Sequence, residues 1–192
     1  MCKNCKVFYN EVKYNTEYGI RLYSEVNETD SMDGCIADGN TLKDNGSTNN
    51  TTSCIELYIF NASEKIKNCS LINNNIIRTI KFGAVDNICI GVQGENILCE
   101  NNTIESELYL DFSAMALYKA KNCKVSKNKV KNFNIGCQTN ATSNECEIKD
   151  NTFYVKRAIG TMQGHNHKIE GNKFYHITYE ATNAIETASS NN

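Results

Sequence analysis

Cys146-Glu147-Ile148-Lys149-Asp150-Asn151-Thr152-Phe153 is the stretch that decides the fold. Cysteine, isoleucine and phenylalanine alternate with polar residues, and one asparagine interrupts the alternation. The same eight-residue phrase occurs seven times. The earlier copies are Cys5-x-Val7-x-x-Asn10-x-Val12, Cys35-x-Ala37-x-x-Asn40-x-Leu42, Cys69-x-Leu71-x-x-Asn74-x-Ile76, Ile97-x-Cys99-x-x-Asn102-x-Ile104 and Cys123-x-Val125-x-x-Asn128-x-Val130. One more comes after it, His167-x-Ile169-x-x-Asn172-x-Phe174. Successive asparagines are 30, 34, 28, 26, 23 and 21 residues apart.

Repeats of this length mark chains in which each unit buries its apolar face on its neighbours. Alternation at period two predicts a short strand with one buried face. Asparagine tolerates left-handed backbone angles and bonds local backbone, so each copy is expected to be the turn residue between two strands. Stacked at one place, seven such side chains predict a ladder of amide hydrogen bonds. The phrase is constant and the connections are not. Helix packing would hold the repeat length fixed, so the variable segments are expected to be loops on the outside of stacked strands.

These phrases resemble the right-handed parallel β-helix repeats of the pectate lyase-like superfamily, which includes pectin-degrading enzymes, alginate epimerases and phage tailspikes. The resemblance covers Cys5 to about Thr187. It implies an all-β chain, a single-stranded right-handed parallel β-helix of about seven coils. Coils spaced by about 4.8 Å would make a rod roughly 35 Å long. It is silent on activity, because one fold hosts many functions. Residues 1–192 read as a single domain with uncapped ends, and hence as a segment of a longer protein or one covered by a partner.

Composition narrows the function. A formal net charge of -2 gives no footprint for nucleic acid. Proline, which would delete a ladder hydrogen bond, is absent. Six of the ten cysteines occupy inward positions of the phrase, where a reduced thiol packs as a small hydrophobe. Cys2-x-x-Cys5 has no second pair at ligand spacing, so neither a metal nor a cofactor is expected. The N-terminus reads as a strand and not as a signal peptide, and no apolar run is long enough to span a membrane. Synthesis in the cytoplasm, with association to a virion, is the expectation.

A further strand is expected after each phrase, over residues 19–23, 54–58, 87–91, 114–118, 134–138, 158–162 and 184–187. Its outward positions are expected to form two columns. One is Arg21, Glu56, Cys89, Ala116, Gly136, Gly160 and Glu186; the other is Tyr23, Tyr58, Gly91, Tyr118, Gln138, Met162 and Ala188. Insertions are expected at 24–34, with acids Glu25, Glu28, Asp30 and Asp33, at 43–53, at 77–86 and at 105–113.

In the proteins this fold resembles, ligands lie along the outer face of that strand. The resemblance therefore makes Tyr23, Tyr58 and Tyr118, with Arg21 and Glu56, the candidate saccharide-binding residues. Aromatic faces suit the apolar side of sugar rings and the polar groups suit hydroxyls. The plainer alternative is that these tyrosines only cover neighbouring strand surface. Glycoside hydrolysis needs two carboxyls about 5–10 Å apart. Glu105, Glu107 and Asp111 are the candidate catalytic acids, with Glu56 or Asp86 facing them; the alternative is a solvated acidic loop. Arg78, Lys81 and Arg157 are available as a lyase base, but match no pectate lyase pattern. The polygalacturonase signatures are also missing: Asn-Thr-Asp, Asp-Asp and Arg-Ile-Lys do not occur. His167 takes the inward cysteine position and is expected in the core, with His165 exposed in a turn.

Three functions remain. The first is a polysaccharide-engaging module like a phage tailspike or receptor-binding protein, with a cell-surface glycan as partner. The second is a polysaccharide lyase or glycoside hydrolase. The third is a structural rod, trimerising through a smooth side at Gly136 and Gly160. A homotrimer, or flanking domains of a longer chain, is the expected assembly.

Overall fold

A computed structural model describes residues 2–24, 31–46, 53–59, 65–80, 88–140, 142–162, 164–177 and 184–187. Among them are 21 strands and no helix. Every strand pairing is parallel. The protein is therefore all-β with parallel sheets, an arrangement consistent with a parallel β-solenoid.

The first half of each phrase builds one seven-stranded sheet. Its strands are Lys6–Phe8, Ile36–Asp38, Ser70–Ile72, Leu98–Glu100, Lys124–Ser126, Glu147–Lys149 and Lys168–Glu170. They pair strictly in chain order. Val7, Ala37, Leu71, Cys99, Val125, Ile148 and Ile169 are register partners in one file. From Ala37 to Ile148 this file is buried. Cys35, Cys69, Ile97, Cys123 and Cys146 are buried beside it, as are Leu42, Ile76, Ile104, Val130 and Phe153 from the second half of the phrase. Each aliphatic or aromatic side chain so buried contributes about 1.5–3 kcal/mol.

The asparagine file is complete. Asn10 Nδ2 donates to Asn40 Oδ1 at 3.0 Å, and the bond recurs from Asn40 to Asn74, Asn74 to Asn102, Asn102 to Asn128, Asn128 to Asn151 and Asn151 to Asn172 at 2.9–3.0 Å. Each accepting oxygen also takes the backbone N–H of the preceding asparagine. Each Nδ2 from Asn40 onward also donates to a backbone carbonyl of the preceding repeat, Val7 O for Asn40 and Ile148 O for Asn172. Asn40, Asn74, Asn102, Asn128 and Asn151 are at most 1 % exposed. Their polar atoms are repaid for lost water by these bonds.

The left-handed backbone falls elsewhere than expected. The residue before each ladder asparagine has φ between 54° and 66°: Tyr9, Gly39, Asn73, Asn101, Lys127, Asp150 and Gly171. A second such file precedes each phrase: Asn4, Gly34, Asn68, Asn96, Asn122, Glu145 and Asn166. The ladder asparagine is thus the hydrogen-bonding member of the corner, and its neighbour carries the turn. A β-branched residue would be strained at that neighbour.

The second half of each phrase and the strand after it belong to a 14-stranded sheet. Early in the chain these are separate strands, such as Glu11–Lys13 and Ile20–Ser24. Later they fuse into Thr103–Lys121, Lys129–Thr139 and Thr152–Met162. The segment 105–113, expected as a loop, lies inside the first of these. The extra residues are absorbed as register shifts between Glu105 and Leu110 and between Leu110 and Ser113. Gly136 and Gly160 do not make a smooth face: both are buried, with the Phe153 and Ile135 side chains of the same chain occupying the space beside their Cα atoms. The acids Glu25, Glu28 and Asp30, most of the 43–53 and 77–86 insertions, and Ala188 lie outside the described residues.

Candidate functional site

Two clusters bring sequence-predicted residues together. The first sits on Ile20–Ser24 and Ser53–Ile59, which pair in parallel with Arg21 opposite Glu56 and Tyr23 opposite Tyr58. Arg21 Nε donates to Glu56 Oε2 at 2.9 Å. The Tyr23 and Tyr58 rings stack with centroids 6.1 Å apart and planes 7° from parallel. The Arg21 guanidinium carbon lies 4.4 Å from the Tyr23 centroid, 5.1 Å from Tyr58 and 4.2 Å from Tyr18. Each cation–ring contact is worth about 0.5–1 kcal/mol at an exposed site.

Tyr18 is invisible to the strand pattern because it precedes the strand; an aromatic residue three positions before an outward arginine is the available signal. The cluster also changes the expected chemistry. The guanidinium engages the tyrosine rings, so the site offers an ordered cation ringed by phenols, with a carboxylate alongside. Burial raises the Glu56 pKa above the ordinary carboxylate range, and the Arg21 charge and hydrogen bond oppose that rise. Burial also raises Tyr18, assisted by the negative charge of Glu56 and opposed by Arg21.

The expected first column is two residues out of register at Cys89 and at Gly136, and in register at Ala116 and Gly160. Gly91 pairs with Glu56 and with Ala116, and Gln138 pairs with Ala116 and Gly160. The first column is therefore Arg21, Glu56, Gly91, Ala116, Gln138 and Gly160. Cys89 is instead buried one position beyond Ile88, level with Cys54. Ile88–Glu95 lies between the strand of Tyr58 and the strand of Tyr118. Tyr118 thus stands two strand spacings from Tyr58, about 10 Å, and outside the Arg21 cluster.

The second cluster lines a cleft of about 450 Å³ formed by Asn75, Ile77, Glu105, Ser106, Glu107, Lys131 and Asn132. Its strands are Asn75–Arg78, Thr103–Lys121 and Lys129–Thr139. Register places Lys43, Ile77, Glu105, Lys131, Tyr154 and Tyr175 in one outward file, beyond the asparagine ladder. Glu105 and Glu107 share the cleft, while Asp111 is exposed on the same strand and is not among its lining residues. Glu105 is ion-paired to Lys129, and this hydrogen bond raises the lysine pKa. The file ends in a tyrosine stack, Tyr154 on Tyr175, with centroids 4.6 Å apart. This file is legible at the third position after each asparagine. Lys131, Tyr154 and Tyr175 belong to it, although the resemblance directs attention to the later strand.

Arg78, a candidate base, is fully buried. It acts on Cys54 and Cys89, and the Cys54 thiol is lowered first by a hydrogen bond from Cys89. A guanidinium sealed in this way cannot reach a ligand. Lys81 and Asp86 lie outside the described residues. His165 is exposed, and His167 is half-buried over Cys146. Among the described residues, no group of three or more His, Cys, Asp or Glu side chains is arranged to hold a metal ion. No helix among them is long and apolar enough to cross a membrane.

No family model, curated protein or solved structure matches the chain. The class is therefore defined by fold and site geometry: an all-β protein of in-register parallel strands with two polar, aromatic-flanked surface clusters.

Proposed function

We propose that the chain is a single-stranded right-handed parallel β-helix of seven coils, related to the pectate lyase-like superfamily, and that it engages a polysaccharide. Parallel strands in the same sheet favour right-handed connections, and the ladder supplies one corner per coil. One observation carries the binding reading: Arg21, Glu56, Tyr23 and Tyr58 on adjacent strands gather with Tyr18 at a partly exposed surface. Charged and phenolic groups held in fixed positions suit the hydroxyls and acid groups of a cell-surface glycan. In this reading the protein is made in the cytoplasm and acts in a virion-associated spike, as a trimer or beside flanking domains. Retention on immobilised bacterial surface polysaccharides tests it. Wild type is retained and Arg21→Met/Tyr58→Ala is not; equal retention of both removes the site, and no retention of wild type on any glycan leaves the structural rod.

The cleft favours a second reading, a polysaccharide lyase or glycoside hydrolase using Glu105 and Glu107. Its volume falls within the usual range of ligand sites, about 300–1,000 Å³. Release of reducing ends, or the ultraviolet absorbance of an unsaturated sugar, would report turnover and should vanish in Glu107→Gln. No turnover on any capsule, pectin or alginate retires this reading.

A further inference from the structure

The asparagine ladder has a direction. At each step the earlier asparagine donates, through its backbone N–H and its Nδ2, to Oδ1 of the next. Its two terminal rungs are therefore unlike. Among the described residues, Asn10 Oδ1 accepts no hydrogen bond and the Asn172 N–H donates none. Asn10 Nδ2 turns to Phe8 O of its own repeat at 3.1 Å, where every later rung reaches back to a carbonyl of the preceding repeat. Asn172 Nδ2 gives one hydrogen to Ile148 O at 2.8 Å and carries a second.

The backbone at the two ends is matched in the same sense. Among the described residues, Lys6–Phe8 pairs only with Ile36–Asp38, and Glu11–Lys13 only with Thr41–Lys43. At the other end, Lys168–Glu170 pairs only with Glu147–Lys149, and Lys173–His176 only with Thr152–Met162. The N–H after the cysteine position donates to the cysteine-position carbonyl one repeat back, from Ile36 N to Cys5 O through Lys168 N to Cys146 O. The next step would run from Lys6 N to His167 O. The N–H after the asparagine does likewise, from Thr41 N to Asn10 O through Lys173 N to Asn151 O. Its next step would run from Glu11 N to Asn172 O. The side chains follow the same register. Val7 and Val12 are half-buried, as is Ile169, and Phe174 is 38 % exposed. Stacked as a further repeat, Val7 would cover Ile169 and Val12 would cover Phe174. Glu11 would face Lys173. Lys6 would face Lys168, a like charge, but Lys168 already holds Glu170 at 2.9 Å.

We propose that the Asn172 end of one copy docks in register on the Asn10 end of a second copy, so that the ladder and both sheets run on from copy to copy. Donors at one end meet acceptors at the other, and the apolar files meet their own continuation. Strand edges with unpaired N–H and C=O groups recruit further strands in this way. The two surfaces are unlike, so the contact is heterologous, and coaxial stacking builds an open row rather than a closed dimer.

Zero-length carbodiimide cross-linking of the 192-residue chain, followed by digestion and mass spectrometry, tests this. Within one copy Glu11 and Lys173 are six strand spacings apart, roughly 29 Å. A zero-length link between them therefore forms only between copies. That link is expected, in oligomers whose mean mass in sedimentation velocity keeps rising with concentration. Glu11→Lys and Lys173→Glu should each weaken association about 10-fold, the swing from an attractive to a repulsive cross-strand pair. Combined in one chain, the two substitutions restore the pair and should restore association, which damage to folding by either would not. A monomer at every concentration, a closed trimer without the Glu11–Lys173 link, or a double variant that associates no better than the single ones would overturn the proposal.

Discussion

Asn102 shows what one residue does here. Its oxygen accepts from the backbone and side chain of Asn74, and its amide donates to Asn128 and to Leu71 O. Replacing it by alanine leaves the Asn74 N–H and the Leu71 carbonyl buried without these partners. Each orphaned group costs about 1–3 kcal/mol, so Asn102→Ala should lose about 3 kcal/mol in urea denaturation. Asn102→Asp should lose more, because a carboxylate has no donor for Leu71 O or for the Asn128 oxygen. The opposite effect is expected at the turn residue. Glu145 holds φ at 56°, and left-handed backbone costs an L-residue about 1–2 kcal/mol. Glu145→Gly should therefore be neutral to stabilising by about 1 kcal/mol in the same assay, despite the greater freedom of glycine in the unfolded chain.

Individual strands are legible in the sequence, and their register is legible only in part. The strands at Ile36–Asp38, Ser70–Ile72 and Lys124–Ser126 are short, alternate cleanly and lie a fixed distance from a corner, so counting from the asparagine places every side chain. The later strand has no such anchor. A register shift between Val92 and Gly94 displaces the residues beyond it. Alternation alone cannot reveal the shift, because an irregularity leaves polar and apolar residues in plausible order on both sides. Spacing sets Arg21 and Glu56 side by side, as they stand, but without a corner to count from it puts Cys89 and Gly136 in the wrong file, two residues short of Gly91 and Gln138. The Arg21–Glu56 pair also fixes a pH dependence at this scale. The folded-state pKa of Glu56 is raised, so the folded protein holds a proton that the unfolded chain has released. Stability from this group is therefore fully present below the unfolded value of about 4.3 and is lost as pH rises through the folded value. Arg21→Met removes the opposing charge, so stability measured by denaturation from pH 4.5 to 7 should fall more steeply than in wild type. Arg21→Met/Glu56→Gln should abolish the extra slope.

Across the whole molecule, the interior explains why the repeat survives such uneven spacing. The file from Ala37 to Ile148 and the ladder from Asn40 to Asn151 are both buried, so each repeat is fixed at its corner whatever chain length intervenes. Between Glu105 and Ser113 the chain absorbs its extra residues as bulges. Both candidate surfaces rest on this frame: the Arg21 cluster on the later strands, and the Glu105 cleft on strands that leave the ladder directly. The frame is legible from seven copies of one phrase. The cleft is not, because it is assembled from residues that only neighbouring repeats bring together. The most direct measurement is a nuclear Overhauser spectrum of the protein with 15N-labelled asparagine. The side-chain amide protons of Asn40, Asn74, Asn102, Asn128 and Asn151 should exchange slowly with water and show cross-peaks to the amide protons of neighbouring asparagines in the file. Fast exchange at Asn74, Asn102 and Asn128, or the absence of cross-peaks linking them, would contradict the single file.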